Sequence, residues 1–541
     1  MYKKIDIYIV YIHINLKLLI INDIKTMTVA VKLKLINDIT MIVLFKYDTT
    51  IFRINGKLTE MPKNISSLNY IKSLNLANNQ ITVISNEIIH LDLYELNLSH
   101  NKICVLPKKL NYFRNLTELN LSHNEICVLP KEIKHLVCLT ELNLSHNKIC
   151  VLPKEIKCLV ELKILNLSHN KICVLPKEIK YLVELKILNL SHNKICVLPK
   201  EIKYLVELEK LDLFHNQIKY LPVEIHYLKK MYYLDLEHNN LVKLPKEIKY
   251  CCKLHYLFLD DNNITIFPKE IKHLRLDKLY ISNNKITCLP KYIKHMIYLQ
   301  SFSLTSNNLH KLPKTIGNLI YLTSMLLSGT NITVLSKEIK YCCNLKHLDI
   351  SLNNITVLPK EIKYCCNLKH LDISLNNITV LPKEIKYCCK LKYLDISYNN
   401  ITVLPKEIKY LTHLRNFHIN NNHIAIIPKE IKYLKKLRYF YINDNCITTI
   451  PKEIKFLTKL YDFFIFNNNI FNLPKEIKYL KALNTIAIGN DNLKTEYSGT
   501  FTNKTIILPK EMKYLKLLKY VYIMNINILY TPVLNNENYH I

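Results

Sequence analysis

Glycine is scarce in this sequence and tryptophan is absent. The 541 residues include only five glycines, all widely separated along the chain: Gly56, Gly317, Gly329, Gly489 and Gly499. Phosphate-binding loops such as G-x-G-x-x-G and the P-loop need closely spaced glycines, because the backbone must approach the phosphates. Nucleotide sites of both kinds are therefore excluded. The sequence also lacks the G-x-S-x-G elbow, the H-E-x-x-H pair and the protein-kinase landmarks, so we expect neither enzymatic activity nor a cofactor.

Long uninterrupted apolar runs are also missing. The first 45 residues are apolar and β-branched, but they are interrupted by charged or ionisable residues at Asp6, His13, Lys17, Asp23 and Lys25. A membrane-spanning helix needs about 20 consecutive apolar residues, so no span is expected, and no small-residue signal cleavage site is present. Alternation from Ile5 to Leu16 predicts strands that cover the first repeat. The alternatives are an irregular leader, with the true start at Met27 or Met41, and a signal anchor.

Most of the chain is a 23-residue repeat with the pattern L-x-x-L-x-L-x-x-N-x-I-x-x-L-P-K-E-I-K-x-L-x-x. Its asparagine recurs at a nearly constant interval, for example from Asn147 to Asn170, and Thr330 and Asp491 replace it in two units. Such regular spacing indicates units that stack on one another. We predict an N-terminal apolar leader or cap over 1–47, a solenoid of about twenty units over 48–530 and a C-terminal tail over 531–541.

The unit from Leu162 to Glu184 shows how the pattern is expected to fold. Leu165 and Leu167 alternate with polar residues, as in a short strand with one buried face. Asn170 follows at a turn, where a buried amide can bond backbone groups that no ladder satisfies. Pro176 opens a short helical turn at its tolerated first position. Because no unit can bury its apolar residues alone, the units must stack with their strands parallel.

These residues resemble the leucine-rich repeat family. The L-P-x-E-I wording, with Asn rather than Cys at the turn, is most similar to the intracellular subclass of scaffolds found in Ras-pathway adaptors, and the resemblance covers residues from about 48 to about 530. It implies an α/β horseshoe solenoid with a parallel sheet on the concave face and short helical turns on the convex face. It also implies partner binding mostly through the concave face. The family has no shared catalytic residues to carry over.

Cysteines recur at two positions of the repeat. One column contains Cys104, Cys127, Cys150, Cys173 and Cys196, and the other contains Cys251, Cys342, Cys365 and Cys388. We expect both to act as small core hydrophobes. Secreted members of the family usually have Cys-rich caps, and both flanks of this array lack Cys, so a reducing cytoplasmic location is expected. No C-x-x-C pair exists, and no metal site is expected from these thiols.

The net charge of +31 raises the alternative of a nucleic acid or an anionic membrane as partner. Its lysines are built into the repeat, as at Lys177 and Lys180, where they flank a Glu on the predicted helical, convex side. This pattern is typical of a solvated surface, and a nucleic-acid partner is disfavoured.

The candidate binding residues follow from the strands, because residues flanking the buried leucines point away from the core. The first half of this face is polar, with Glu95, Glu118 and Glu141 in one column, Asn97 to Asn189 in the next and Ser99 to Ser191 in a third. Further along, aromatic side chains typical of interface anchors appear. Alternatively, these rings lie flat on neighbouring strands. The first patch comprises Tyr233, Tyr256, Phe258 and Tyr280, and the second comprises Tyr393, Tyr439, Tyr441 and Phe464.

A separate column is formed entirely by histidines: His100, His123, His146, His169, His192, His215 and His238. They either face water, bind a metal or protonate together below about pH 6.5. Two irregularities, at Ser328 to Ser336 and after Asp491, predict a bend and a projecting loop.

We predict a non-enzymatic, intracellular scaffold that binds a protein partner on its concave face. The alternatives are a basic surface binder of nucleic acid or anionic membrane, and the recognition arm of a host-directed effector. Partner identity and oligomeric state are left open.

Overall fold

The computed structural model describes residues 17–23, 28–34, 40–46, 49–55, 57–61, 71–85, 88, 90–489 and 508–524. The chain divides into two compact units, Met1–Leu254 and His255–Ile541. The alternation predicted before Lys17, the loop after Asp491 and the tail over 531–541 lie outside the described residues.

The first unit contains one mixed sheet. Its strands are β1 (Lys17–Asp23), β2 (Thr28–Lys34), β3 (Thr40–Lys46), β4 (Thr49–Asn55), β5 (Ser73–Asn75), β6 (Glu95–Asn97), β7 (Glu118–Asn120), β8 (Glu141–Asn143), β9 (Ile164–Asn166), β10 (Ile187–Asn189), β11 (Lys210–Asp212) and β12 (Tyr233–Asp235). Strands β1 to β4 pair antiparallel in chain order. From β4 onward every pairing is parallel and one repeat apart. The antiparallel strands therefore occupy the edge that the first repeat strand would otherwise leave open.

The second unit contains a parallel sheet. Its strands are β13 (Tyr256–Phe258), β14 (Lys278–Tyr280), β15 (Ser301–Ser303), β16 (Ser324–Leu326), β17 (His347–Asp349), β18 (His370–Asp372), β19 (Tyr393–Asp395), β20 (Asn416–His418), β21 (Tyr439–Tyr441), β22 (Asp462–Phe464), β23 (Thr485–Gly489) and β24 (Tyr520–Met524). Each strand pairs with the next in chain order. This register places equivalent residues of successive repeats side by side.

Short helices alternate with the strands, and all of those in the described part of the chain are 3-10 helices. In the first unit they are Leu110–Tyr112, Lys131–His135, Lys154–Cys158, Lys177–Tyr181, Lys200–Tyr204, Val223–Tyr227 and Lys246–Tyr250. In the second unit they are Lys269–His273, Lys291–His295, Lys314–Asn318, Lys337–Tyr341, Lys360–Tyr364, Lys383–Tyr387, Lys406–Tyr410, Lys429–Tyr433, Lys452–Phe456, Lys475–Tyr479 and Lys510–Tyr514.

The helix Lys177–Tyr181 shows why these segments stay short. Pro176 precedes it with an extended backbone, φ −69° and ψ 150°, so the proline caps the helix instead of opening it as predicted. The amide of Leu182 then donates to Ile179 and closes the turn. Five residues are enough to return the chain to the next strand, and Ile179 is the residue that the helix buries.

The core consists of one layer of aliphatic side chains per repeat. In the unit from Leu162 to Glu184, Leu165, Leu167 and Ile172 occupy positions that recur in every repeat pattern, and they are fully buried. Burying one such side chain stabilises the fold by about 1.5–3 kcal/mol. In the second unit, Phe417, Phe440 and Phe463 replace the strand leucine, and their rings stack at 5.7 Å. Stability therefore depends on contacts between neighbouring repeats.

The asparagine column links neighbouring repeats by hydrogen bonds, as predicted for Asn170. Its Oδ1 accepts the amide of Ile149 in the preceding repeat at 2.9 Å. Its Nδ2 donates to the carbonyl of Leu144 at 2.9 Å and to those of Leu167 and Ser168 within its own turn. The same contacts recur along both units. The buried amide thus satisfies backbone groups that the short strands leave unpaired.

Two departures from the pattern keep the fold by other means. Thr330 replaces the asparagine, and its hydroxyl donates to the carbonyl of Leu327 at 2.8 Å, while its own carbonyl accepts the amide of Leu309. Ser336 replaces the usual proline, and the helix Lys337–Tyr341 still begins directly after it. The strand Ser324–Leu326 and the helix Lys337–Tyr341 therefore keep their places in the repeat, while the segment between them has a turn at Ser328 and Gly329 that the repeats on either side lack.

The prediction for the cysteines was correct for one column and wrong for the other. Cys251, Cys342, Cys365 and Cys388 are buried, but Cys104, Cys127, Cys150, Cys173 and Cys196 are exposed. The second group follows the buried isoleucine by one residue, as Cys173 follows Ile172, so its side chain points out of the core. Apolar character alone did not distinguish the two environments.

Candidate binding surface on the sheet

Each repeat strand buries its middle residue and leaves its two flanking side chains on the outer face of the sheet. In β9, for example, Leu165 is buried while Ile164 and Asn166 are half-buried. Because successive strands are in register, each flanking position forms a column of side chains one repeat apart. These columns form the candidate surface.

In the first repeats, from β6 to β8, this face is polar. Burial, reinforced by Glu95 and Glu141 on either side, raises the pKa of Glu118 above its ordinary value. The serines predicted to lie on this surface are instead buried, with exposures of 6–8%. Ser99 shows the reason, because its amide and hydroxyl are both hydrogen-bonded to Asn97 Oδ1, at 3.0 and 2.7 Å. The amides of the other four serines bond the asparagine two residues earlier in the same way, so this position belongs to the turn.

The histidine column forms a stack of rings in the first unit. The centroids from His100 to His192 are 3.9–4.0 Å apart with interplanar angles of 11–16°. Each of these residues has a positive φ, 52–54°. Burial, followed by repulsion from neighbouring histidines, lowers the pKa of His169 to about 4. Of the alternatives for this column, protonation near pH 6.5 is disfavoured at His169, because burial and charged neighbouring rings both oppose its charged form.

The first predicted patch is divided between the two units. In the first unit, Tyr233 donates to Asp235 at 3.0 Å, and the Lys210 ammonium lies 4.4 Å from the centre of its ring. In the second unit, Phe258 and Tyr280 meet edge to face at 5.2 Å. Lys278 lies over the ring of Tyr256, with its ammonium 5.6 Å from the ring centre. All four aromatic side chains are half-buried, in agreement with rings that pack along the strands.

The second predicted patch lies within the second unit and is part of a longer array. Tyr441 stacks on Phe464 at 4.6 Å and on His418 at 4.6 Å from the other side. Tyr393 contacts His418 edge to face at 5.2 Å and stacks on His370 at 4.1 Å with their planes 1° apart. We name these five side chains the aromatic ladder. Tyr439 lies outside it and contacts Tyr461 at 6.3 Å.

The sequence prediction missed the two histidines of the ladder. His370 and His418 occupy the same columns as the predicted aromatic residues, one repeat from Tyr393 and Tyr441. Column position was therefore the signal that would have identified them. Residue type alone does not reveal these two histidines, because neither is a tyrosine or a phenylalanine.

Acidic side chains lie next to the aromatic ladder. Asp395 accepts hydrogen bonds from Tyr393 and Ser397 and lies 3.0 Å from His418 Nδ1. Burial alone would raise the pKa of Asp395, but the hydrogen bonds from His418 and Ser397 outweigh it, and the net direction is downward. The neighbouring Asp372 has no such imidazole, and burial raises its pKa to about 6. Burial also lowers the pKa of His370 to about 4.

The helical side of each unit carries a different surface. Tyr181 is exposed, and the Lys180 ammonium lies 5.1 Å from the centre of its ring. The same Lys–Tyr contact recurs in the second unit, for example at Tyr410 and Tyr433. Each lysine covers the tyrosine next to it, and the tyrosines are not buried in the repeat core. Among the described residues, no group of three or more His, Cys, Asp or Glu side chains is placed to hold a metal ion.

Comparison with known proteins assigns the fold to a family. Sequence profiles described as "Leucine rich repeat" match residues 92–149, 153–218, 229–286 and 343–401, and one described as "Leucine-rich repeat region" matches residues 382–526. The leucine-rich repeat protein LIC12759 of Leptospira interrogans is 35% identical, with a TM-score of 0.51, and the match covers 79% of this chain and 93% of that one. The chain belongs to the leucine-rich repeat family, whose members are typically non-enzymatic binding scaffolds.

Plant receptors share the fold. The plant peptide hormone receptor RGFR1, in complex with RGF2, is 25% identical with a TM-score of 0.62, and the match covers 88% of this chain and 86% of that chain. The ectodomain of the receptor kinase GASSHO1/SCHENGEN3 of Arabidopsis thaliana is 23% identical with a TM-score of 0.66, covering 88% of this chain and 65% of that one. No curated protein matches the sequence significantly. Within the described residues, every helix is too short or too polar to cross a bilayer.

Proposed function

We propose that this chain is a non-enzymatic scaffold that binds a protein partner on the outer face of its sheet, at the aromatic ladder of the second unit. The observation that supports this most is the ladder itself, from His370 to Phe464. Its rings are held in register by the strands and are stacked on one another. Rings ordered before binding lose little conformational entropy when a partner covers them.

The chemistry of the ladder suits a protein interface. Half-buried Tyr and Phe side chains provide a large apolar contact area, and tyrosine adds a hydroxyl for polar contacts. Asp395 supplies a fixed acceptor beside Tyr393. The similar plant receptor RGFR1 is described in complex with RGF2, and a protein or peptide partner is what we propose here.

An intracellular setting is part of the same proposal. All seventeen cysteines are free thiols, and twelve of them are exposed, a state that a reducing compartment maintains. The L-P-K-E-I-K wording supports a relation to intracellular scaffolds of the Ras-adaptor type, which we also propose.

Quantitative affinity capture from the native cell tests the proposed binding surface. The bait variant carries Tyr441→Ala and Phe464→Ala, and a matched control carries Tyr410→Ala and Tyr433→Ala on the helical side. A third bait with Tyr256→Ala, Phe258→Ala and Tyr280→Ala tests the other predicted patch. Circular dichroism establishes that all baits are folded. We expect proteins captured by the intact chain and the control to be lost from the ladder variant. Identical captured proteins for all baits would remove the sheet face from consideration.

A further inference from the structure

Five consecutive repeats of the second unit place a cation at the residue that leads into the strand. These residues are Lys346, Lys369, Lys392, Arg415 and Arg438, and we name them the basic column. From Lys369 onward, the amide of each member donates to the carbonyl of the preceding member at 2.8 Å, so the five residues are adjacent and in register. All five side chains are exposed. In the described part of the chain, none of them forms an ion pair with an acid.

In other repeats the residue that leads into the strand can be an acid. His255 is followed one repeat later by Asp277, and the two side chains meet at 3.1 Å. In the first unit, Lys186 is followed by Glu209, whose amide donates to the lysine carbonyl. The position thus tolerates acids, and the uninterrupted run of cations is a local feature. The lysines of the repeated K-E-I-K segment do not account for it, because they lie on the 3-10 helices.

A column of like charges has a cost in the free protein. Adjacent strands lie about 4.8 Å apart, and like charges directly opposite each other on a sheet are destabilising. An anionic partner removes that repulsion on binding, and each cation that it contacts adds a favourable electrostatic interaction. The five residues span about 19 Å, the length of an extended polypeptide segment of about six residues.

The surroundings of the column indicate which kind of anion fits. Three residues beyond the first three cations, about 10 Å along each strand, lie Asp349, Asp372 and Asp395. A nucleic acid broad enough to cover this face would bring its phosphates against those carboxylates. A protein segment can place acidic side chains over the cations and other groups over the aspartates. The stacked faces of His370 and Tyr393 are also already occupied by each other, which leaves no gap for a base.

We propose that the basic column binds an extended acidic segment of a protein partner, with Glu and Asp carboxylates over the five cations. This inference deepens the proposed function, because the column immediately precedes residues of the sheet face such as Tyr393 and Tyr439. It names the chemistry of the partner that contacts this edge of the ladder.

Fluorescence anisotropy of the full chain with a defined probe tests the proposal. The probe is a labelled peptide of about ten residues in which Glu alternates with Ser, and a neutral Gln–Ser peptide and a thymidine oligonucleotide of similar length serve for comparison. The column variant carries Lys392→Glu and Arg415→Glu. The matched control carries Lys386→Glu and Lys409→Glu on neighbouring 3-10 helices, so both variants change net charge equally. A milder pair, Lys392→Gln and Arg415→Gln, checks the result if the charge reversal disturbs folding.

We expect the column variant to weaken binding of the Glu–Ser peptide by about tenfold or more, and the control by less than about twofold. The milder pair is expected to fall between them. Equal weakening by column and control variants would overturn the proposal, because general attraction to a cationic protein would explain both. Tighter binding of the oligonucleotide with the same dependence on the column would replace it with a nucleic-acid site. Absence of peptide binding would also overturn it. None of these three results bears on partner capture through Tyr441 and Phe464, so this proposal and the proposed function can fail separately.

Discussion

The asparagine column allows a quantitative prediction at Asn170. Replacing it by alanine removes the acceptor of the Ile149 amide and the donor to three carbonyls. All three carbonyls keep another partner, because Leu144 also accepts from Asn147, Leu167 from Asn193 and Ser168 from the amide of His146. The buried amide of Ile149 therefore loses most, because Asn170 is the acceptor of its hydrogen bond.

The magnitude follows from that count. A buried amide without a partner costs about 1–3 kcal/mol, and a lost hydrogen bond contributes about 1 kcal/mol more. We expect Asn170→Ala to reduce the free energy of unfolding by about 2–4 kcal/mol. The matched control is Asn166→Ala on the outer face, where the half-buried side chain accepts a single bond from the Ser168 amide at 3.0 Å. Its cost should be about 1 kcal/mol or less.

Hydrogen exchange measured by mass spectrometry, together with urea unfolding, checks this prediction. Exchange resolves single repeats, whereas a long repeat array need not unfold in one step. Protection should fall most in the segment containing Ile149. The substitution Asn170→Thr should recover part of the loss, since Thr330 satisfies an equivalent position with its hydroxyl and its carbonyl. Equal effects of Asn170→Ala and Asn166→Ala would refute the assignment of the inter-repeat bonds to this side chain.

Three further predictions concern other parts of the molecule. Because the pKa of His169 is lowered from 6.5 to about 4, the unfolded chain binds protons more readily between those values. The free energy of unfolding should then be highest above about pH 6.5 and should fall as the pH drops toward 4. The same urea midpoint at about pH 7.5 and about pH 5 would contradict this, and so would the same pH dependence of the midpoint in the variant His169→Asn and in the intact chain. Iodoacetamide should label thirteen thiols of the native protein and spare four, including Cys365, with labelling of all seventeen as the contrary result. Gly317→Ala should cost about 1–3 kcal/mol, because the new methyl group would lie 2.8 Å from Tyr341, whereas the exposed neighbour Asn318→Ala should be nearly neutral in thermal unfolding.

The sheet side of each repeat was the most predictable part. The period of the leucines identified the buried middle residue of each strand, as at Leu165, and the asparagine column marked the inward turn. Repetition made this possible, since an error in one unit would be exposed by its neighbours. The helical turn was located correctly, but its 3-10 geometry and the capping position of Pro176 depend on how tightly the chain returns to the next strand.

The arrangement of the candidate surface was only partly predictable. Tyr441 and Phe464 were predicted as aromatic anchors of an interface, and their rings stack on each other. His370 and His418 were overlooked, because their role comes from neighbours 23 residues away and not from their own type. The exposed cysteine column was misjudged for a related reason. A small apolar side chain after a buried isoleucine fits either side of a turn.

The sequence by itself determined the repeat, its register, the buried leucines and the asparagine turn, because these depend on which residue types recur at a fixed interval. Only the tertiary structure decided which side chains of neighbouring repeats touch. Ring stacking from His370 to Phe464, the lowered pKa of His169 and the adjacency of Lys346 to Lys369 all result from contacts between residues one repeat apart. Those contacts depend on side-chain direction and spacing between strands, which are set when the units stack.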